Sequence, residues 1–222
     1  MDKVGILGGS FNPVHTGHVR MAVEAREALG LDRVDLVPAA APPHKPGPGL
    51  LPFALRLRLA ELAARDIPAL AASGVEGDLP PPSYTWRTLE EYARREPGAE
   101  LFFILGSGTL LDLPDWKRGP ELFDLAHFAA MHRWDMDLEG VERMLTAHWP
   151  GVRREGPDLW RFASGKTLTC LEMPRLDIKA ADLRARWRER RSLALLVPPA
   201  VEAALEEGGA ECEAAWGPRR PL

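Results

Sequence analysis

The feature that most constrains this chain lies at its start, where an apolar run passes through glycines into a segment of helical periodicity. Residues 4–7 predict a buried strand, and Gly8, Gly9 and Ser10 predict a turn that only small residues allow. Residues from about 17 to 29 predict the helix that follows. Backbone N–H groups and the positive end of the helix dipole would meet at this junction, which is typical of a phosphate site.

Two histidines fall at the same junction. If the helix begins near His15, then His15 and His18 share one helix face and present two imidazoles to a bound anion. The alternatives are a turn that only packs a helix on a sheet, or a zinc site. No nearby Cys, Asp or Glu offers an obvious third zinc ligand, so the combination favours the anion site.

The segment from Gly8 to His18 reads GGSFNPVHTGH. It resembles the signature of the nucleotidyltransferase superfamily that carries a His-x-Gly-His motif, in the form found in bacterial nicotinate mononucleotide adenylyltransferases. The resemblance continues in order to about residue 205. It implies transfer of the adenylyl group of ATP to nicotinate mononucleotide, with Mg²⁺ on the ATP. Two alternatives stay open: another acceptor, nicotinamide mononucleotide or phosphopantetheine, and a nucleotide-binding protein with little catalysis.

Length, charge and cysteine usage set the class of protein. A chain of 222 residues fits one nucleotidyltransferase domain over residues 1–205, followed by a Gly- and Glu-rich tail, residues 206–222, that we expect to be loose. A net charge of −4 argues against a nucleic-acid partner. Two distant cysteines, with neither a leader nor a membrane span, predict a cytoplasmic protein. The oligomeric state is not predicted.

The order of elements predicts an α/β fold. A second strand over residues 33–37 completes a βαβ unit, so we expect a Rossmann-like parallel sheet flanked by helices, with a small C-terminal helical part. Further strands are predicted at 100–105, 126–132, 159–162 and 167–172, and helices at 53–65, 86–95 and 138–148. Arg56 and Arg58, in the first of these helices, are expected on its solvated face.

A proline-rich loop, residues 38–49, follows the second strand and cannot be a helix or a central strand. Ligands of parallel sheets bind at the carboxyl ends of strands, so His44 and Lys45 in this loop are candidates for phosphate contact. A solvated loop is the alternative. The resemblance at Pro-Pro-His-Lys implies that Lys45 contacts phosphate and that His44 lies near the mononucleotide.

The resemblance also implies roles for residues further along the chain. The implied catalytic residues are His15, His18 and Arg184; the phosphate-binding residues are Gly8, Gly9, Ser10, Phe11, Gly106 and Lys45; the mononucleotide-binding residues are His44, Tyr84, Thr85, Trp116 and Arg133. Plainer interpretations stay open for three of them. Thr85 would cap a helix, Trp116 would be a core residue, and Arg184 would be one of several surface arginines.

Three positions depart from the family pattern. Gly108 stands where the family has an aspartate, and Trp134-Asp135 stands where Pro-Gly usually follows Arg133. Lys179-Ala-Ala181 replaces hydroxyl residues, which removes an N-cap and hydrogen bonds to phosphate. A missing carboxylate and missing hydroxyls would change the contacts that hold the nucleotide.

Overall fold

The computed structural model describes residues 1–43, 48–133 and 136–221. One sheet of eight strands organises these residues. The strands in chain order are β1 (Lys3–Gly9), β2 (Arg33–Pro38), β3 (Leu70–Ala72), β4 (Glu100–Gly106), β5 (His127–His132), β6 (Arg153–Arg154), β7 (Leu159–Arg161) and β8 (Thr167–Glu172). Their spatial order is β3-β2-β1-β4-β5-β8-β7-β6. The first five and β8 run parallel, while β6 and β7 form an antiparallel edge.

Helices cover both faces of the sheet. They are α1 (Thr16–Leu29), α2 (Phe53–Ala64), α3 (Thr85–Arg95), α4 (Ser107–Leu110), α5 (Leu122–Leu125), α6 (Leu138–His148), α7 (Ala180–Arg188), α8 (Pro199–Glu207) and α9 (Gly209–Trp216). Apolar residues of α1, α2 and α7–α9 pack on one face, and those of α3, α5 and α6 pack on the other. The expected α/β fold with a C-terminal helical part is confirmed.

Alternation along the central strands explains the two cores. On β4, Leu101, Phe103 and Leu105 point to the α3 side, while Phe102 and Ile104 point to the α1 side. All five side chains are buried, as is usual where helices cover both faces of a parallel sheet. Within the described residues, no helix is long and apolar enough to cross a membrane.

The end of the chain differs from the expected loose tail. Residues 209–216 form α9, in which Cys212 is 0% and Trp216 7% exposed. The Trp216 ring meets the Trp187 ring of α7 edge-on, with centroids 5.4 Å apart. The expectation rested on glycine and glutamate content, but two apolar side chains four residues apart share one helix face and dock it on the core.

Candidate active site

The candidate site lies where the strand order reverses. Strand β1 sits between β2, which follows it in the chain, and β4, which the chain reaches only later. Gly9 and Gly106 end β1 and β4 at neighbouring positions of the same sheet edge. In open parallel sheets the crevice at such a point receives the ligand.

The turn after β1 is built differently from the expected glycine turn. Gly8 and Gly9 are the last residues of β1, so the turn begins at Ser10. The two glycines are needed for close packing, since a Cβ would lie 3.0 Å from the Phe103 ring at Gly8 and 3.2 Å from the Phe11 ring at Gly9. The left-handed backbone conformation falls on Phe11 (φ 43°), whose side chain is buried. Such a conformation is uncommon for a bulky residue and needs support from its surroundings.

The two histidines come together as predicted. His15 is the N-cap residue of α1, and its backbone N–H donates to Nδ1 of His18 over 3.2 Å. The two imidazoles stack with centroids 3.6 Å apart, and the Phe11 ring meets His18 edge-on at 4.9 Å. A Cβ on Gly17 would lie 3.1 Å from Nδ1 of His15, so the glycine between the histidines leaves room for this ring.

His15 is neutral at physiological pH. Burial, together with the nearby positive charge of Arg133, lowers the pKa of His15 to about 4. Its Nδ1 atom is buried and has no hydrogen-bond partner within the described part of the chain. A buried polar atom without a partner is uncommon in a folded protein, and this one lies against Gly17 in the first turn of α1.

The N-terminus of α1 is not fully open to an anion. The backbone N–H of Thr16 donates to the carbonyl of Leu196 over 3.0 Å, and the Thr16 hydroxyl donates to the carbonyl of Leu195 over 3.2 Å. The expectation of free N–H groups at this helix end is therefore wrong for Thr16. The dipole still favours an anion there, but side chains must supply more of the contact.

Two arginines act on the turn between β1 and α1 and on its histidine: Arg184 of α7 and Arg133, which follows β5. Nη1 of Arg184, on α7, donates to the backbone carbonyl of Asn12 over 2.9 Å. Burial and the neighbouring Arg188 lower the pKa of Arg184. Arg133 follows β5, donates to the Leu176 carbonyl and acts electrostatically on His15. The structure thus places Arg184 against the turn that precedes α1 and Arg133 within electrostatic reach of His15.

The residues implied for the mononucleotide lie beside the next loop. Ser83 joins the segment before α3 to the segment after β2, since its hydroxyl accepts from the Ala41 N–H over 2.9 Å. Tyr84 is the N-cap residue of α3 and makes no side-chain cap. Thr85 is the first residue inside the helix, so the interpretation of Thr85 as its cap is wrong. Trp116 is half-buried and meets the Phe103 ring edge-on at 6.4 Å. His44 and Lys45 lie outside the described residues.

Gly108 leaves open space at the end of β4. A Cβ built there meets nothing within 4 Å. The glycine borders a cleft of about 320 Å³, lined by Ser107, Leu111, Met136, Asp137, Gly140 and Val141. At the other altered segment, Lys179 precedes α7 as its N-cap residue and makes no side-chain cap, as the loss of hydroxyls predicted.

Arg56 belongs to the candidate site, although the sequence pattern predicts a solvated position for it. The residue is 0% exposed. Its guanidinium donates to the carbonyls of Leu51 (2.9 Å), Ser10 (2.9 Å), Ala39 (2.7 Å) and Ala40 (3.3 Å). It therefore ties the turn after β1 to the loop after β2.

A spacing signal for this burial was present. Arg56 lies three, four and seven residues before Leu59, Ala60 and Ala63, which form the buried stripe of α2. Arg58 is off that stripe, and its side chain is 55% exposed beside Glu207. Helical position rather than residue type thus separates the two arginines.

This chain resembles known proteins over most of its length. The cytidylyltransferase-like family model matches residues 6–185. A relative from Trichlorobacter lovleyi, named "Probable nicotinate-nucleotide adenylyltransferase", is 38% identical over 93% of this chain and 98% of its own length. One of the same name from Maridesulfovibrio salexigens is 34% identical over 96% and 99%.

Solved structures show the same fold. Nicotinic acid mononucleotide adenylyltransferase of Plasmodium falciparum, in complex with NaAD, superposes with a TM-score of 0.72 at 16% identity, covering 95% of this chain and 98% of that one. Its complex with APC gives a TM-score of 0.70 at 15% identity. On the family model and the near full-length relatives, this chain belongs to the cytidylyltransferase-like family and, within it, to the nicotinate-nucleotide adenylyltransferases.

Proposed function

We infer that this protein transfers the adenylyl group of ATP to nicotinate mononucleotide, giving nicotinate adenine dinucleotide and pyrophosphate in the cytoplasm. The observation that carries the inference is the stacked pair of His15 and His18 at the strand-order reversal. Arg133 acts electrostatically on His15, and Arg184 binds the Asn12 carbonyl of the preceding turn. Net charge −4 and the absence of a basic excess support small-molecule substrates over nucleic acid.

The attacking group in this reaction is itself a phosphate, which is already ionised near neutral pH. No protein nucleophile and no strong base are needed. Catalysis then reduces to aligning the two substrates and stabilising charge on the α-phosphate and the departing pyrophosphate.

The histidine pair is suited to the α-phosphate. Neutral His15 can donate a ring N–H to a phosphate oxygen without carrying the desolvation cost of a buried charge. His18, stacked on it, offers a second imidazole on the same side. Backbone donors at Ser10 and Phe11 complete this part of the proposal, and Gly8, Gly9 and Gly106 lie at the strand ends beside them.

The positive charge for the triphosphate comes from Arg184 and, in the proposal, from Lys45. Mg²⁺ would accompany ATP as part of the substrate and would offset charge on its phosphates. The described residues hold no cluster of three His, Cys, Asp or Glu side chains that would bind a metal ion. Delivery on the triphosphate suits that donor set better than a protein-built metal site.

The acceptor would lie on the side of Tyr84, Thr85 and Trp116. Trp116 offers an aromatic face to a pyridine ring, and the N-terminal turn of α3 offers donors to a carboxylate. Arg133 and His44 would contact the mononucleotide phosphate. Nicotinamide mononucleotide, which lacks the carboxylate, would use these groups less well.

The test is pyrophosphate release from ATP with nicotinate mononucleotide, nicotinamide mononucleotide or phosphopantetheine as acceptor. We expect nicotinate mononucleotide to give the highest kcat/KM. A higher value with another acceptor would overturn the substrate assignment. Nucleotide binding without turnover would instead favour a binding protein, the reading suggested by the open space at Gly108.

The His18→Ala variant tests the site itself. Removing one preorganised donor to a transition state costs about 10²–10³ in rate, so we expect at least that loss at unchanged folding. Circular dichroism and thermal unfolding control for the fold. Near-normal turnover of this variant would contradict the assignment.

A further inference from the structure

Asn12 lies in the turn between β1 and α1, residues 10–15, which we call the catalytic turn. It connects this turn to three other parts of the chain. Its side chain is buried, with Nδ2 donating to the Gly49 carbonyl over 2.5 Å. Its Oδ1 accepts from the Leu51 N–H over 3.1 Å and from the indole N–H of Trp216 over 3.3 Å. The Asn12 backbone carbonyl accepts from Arg184. Every polar group of this side chain therefore has a partner.

The partner from α9 is itself held rigidly. Trp216 is 7% exposed and packs edge-on against Trp187 of α7. The Arg219 guanidinium lies 4.0 Å from the centroid of the Trp187 ring and pairs with Glu206 of α8. The indole N–H that donates to Asn12 therefore belongs to a side chain that is packed into the core.

The turn that Asn12 belongs to needs such support. Phe11, next to it, has φ 43°, a conformation that persists only where surrounding contacts hold it. The Phe11 ring in turn packs edge-on against His18, so a shift of the turn reaches the histidine pair. The chain of contacts runs from Trp216 through Asn12 and Phe11 to His18.

We propose that helix α9 positions the catalytic turn, with Trp216 acting as a positioning residue through its hydrogen bond to Asn12. The proposal rests on the adenylyl transfer inferred above. Helix α9 lies beyond residues 6–185, the part matched by the family model. Trp216 does not touch the reacting groups; it fixes the turn that carries them.

The structure offers a matched pair of variants. Trp216→Phe removes the indole N–H that donates to Asn12 and keeps most of the ring. Trp187→Phe makes the same change in the same aromatic cluster, but Nε1 of Trp187 is buried with no hydrogen-bond partner among the described residues. A difference between the two variants therefore reports the hydrogen bond, not the loss of packing.

Steady-state kinetics with both substrates give the first readout. A small misplacement of reacting groups lowers the rate of the chemical step strongly, so we expect W216F to lower kcat about 10-fold with KM changed less than about twofold. W187F should keep kcat within about twofold of the unmodified protein. Equal kcat for the two variants would overturn the proposal.

A double-mutant cycle tests the route through Asn12. Asn12→Ala should lower kcat, and adding W216F on that background should cause no further loss, because the contact is already gone. An undiminished effect of W216F in the N12A background would overturn the proposal.

A readout independent of turnover separates this proposal from the proposed function. In protein with ¹³C-labelled histidine, the ring-proton resonances of His15 and His18 should shift in W216F and stay in W187F, whichever substrate is used. If W216F fails to fold, N12A removes the same hydrogen bond from the other side and should shift the same resonances. Unchanged histidine resonances in the folded variant would refute positioning; absent turnover with the expected shifts would refute only the adenylyl transfer.

Discussion

Replacing Arg56 by Met tests how the two walls of the candidate site are joined. The guanidinium is fully buried and makes four hydrogen bonds to backbone carbonyls at 2.7–3.3 Å. Burial lowers the pKa of Arg56, and the charge of nearby Glu76 acts in the opposite direction. Met fills similar volume but leaves the four carbonyls without their donor.

The size of the effect follows from burial. Each hydrogen bond from a charged donor contributes roughly 1.5–3 kcal/mol, but desolvation of the guanidinium offsets much of the sum. Three of the acceptors, on Ser10, Ala39 and Ala40, are only partly buried and can bind water after the change. The bond to the Leu51 carbonyl is buried and is lost outright. We therefore expect a net loss of about 2–4 kcal/mol, at the upper end of single substitutions.

The assay is urea unfolding and thermal melting of R56M beside R58M. Arg58 lies on the same helix, but its partner Glu207 is 62% exposed, so its loss should cost less than about 1 kcal/mol. R56M should melt roughly 10 °C lower than the unmodified protein, and R58M within a few degrees of it. Equal shifts for the two variants, or a loss below about 1 kcal/mol in R56M, would refute the reasoning.

Three further predictions concern other parts of the chain. Burial lowers the pKa values of His15 and His127 to about 4, so the free energy of unfolding should be highest above pH 6.5 and fall as the pH drops towards 4. His127→Gln should flatten this slope in urea unfolding. A constant free energy of unfolding across that range would contradict the prediction. Gly17→Ala should lower kcat about 10-fold by crowding His15, whereas Gly209→Ala, which meets open space, should not. Burial raises the pKa of the Cys212 thiol to about 12, so it should not react with a disulfide reagent in the folded protein; rapid reaction would show α9 to be undocked.

The sheet and the position of the candidate site could be predicted because local patterns determine them. The apolar run before Gly8, the helical period after it and the second strand at 33–37 predicted a βαβ unit, and the structure has β1, α1 and β2 at these places. The spacing of His15 and His18 predicted the shared face on which they now stack.

What the sequence did not reveal depends on contacts between distant residues. The helical period of α2 does not show what would satisfy a buried charge at Arg56, because the carbonyls come from three separate segments. Glycine and glutamate content favours a loose segment at residues 206–222, but the docking of α9 depends on Trp187, far back in the chain. The left-handed conformation at Phe11 follows from the packing around it, which no local rule assigns to a phenylalanine.

Three residues from the last fifth of the protein contact the turn before α1 or its first residue. Arg184 and Trp216 donate to Asn12 across 172 and 204 residues of chain. The Leu195 carbonyl accepts from Thr16 across 179 residues. During synthesis, the first strand and helix leave the ribosome long before these partners exist. At about 5–20 residues per second, the nascent chain waits for them for roughly ten seconds or more. A prematurely terminated product would carry the whole signature segment and still lack the contacts that hold it, so completion of translation itself becomes a condition for assembling the site.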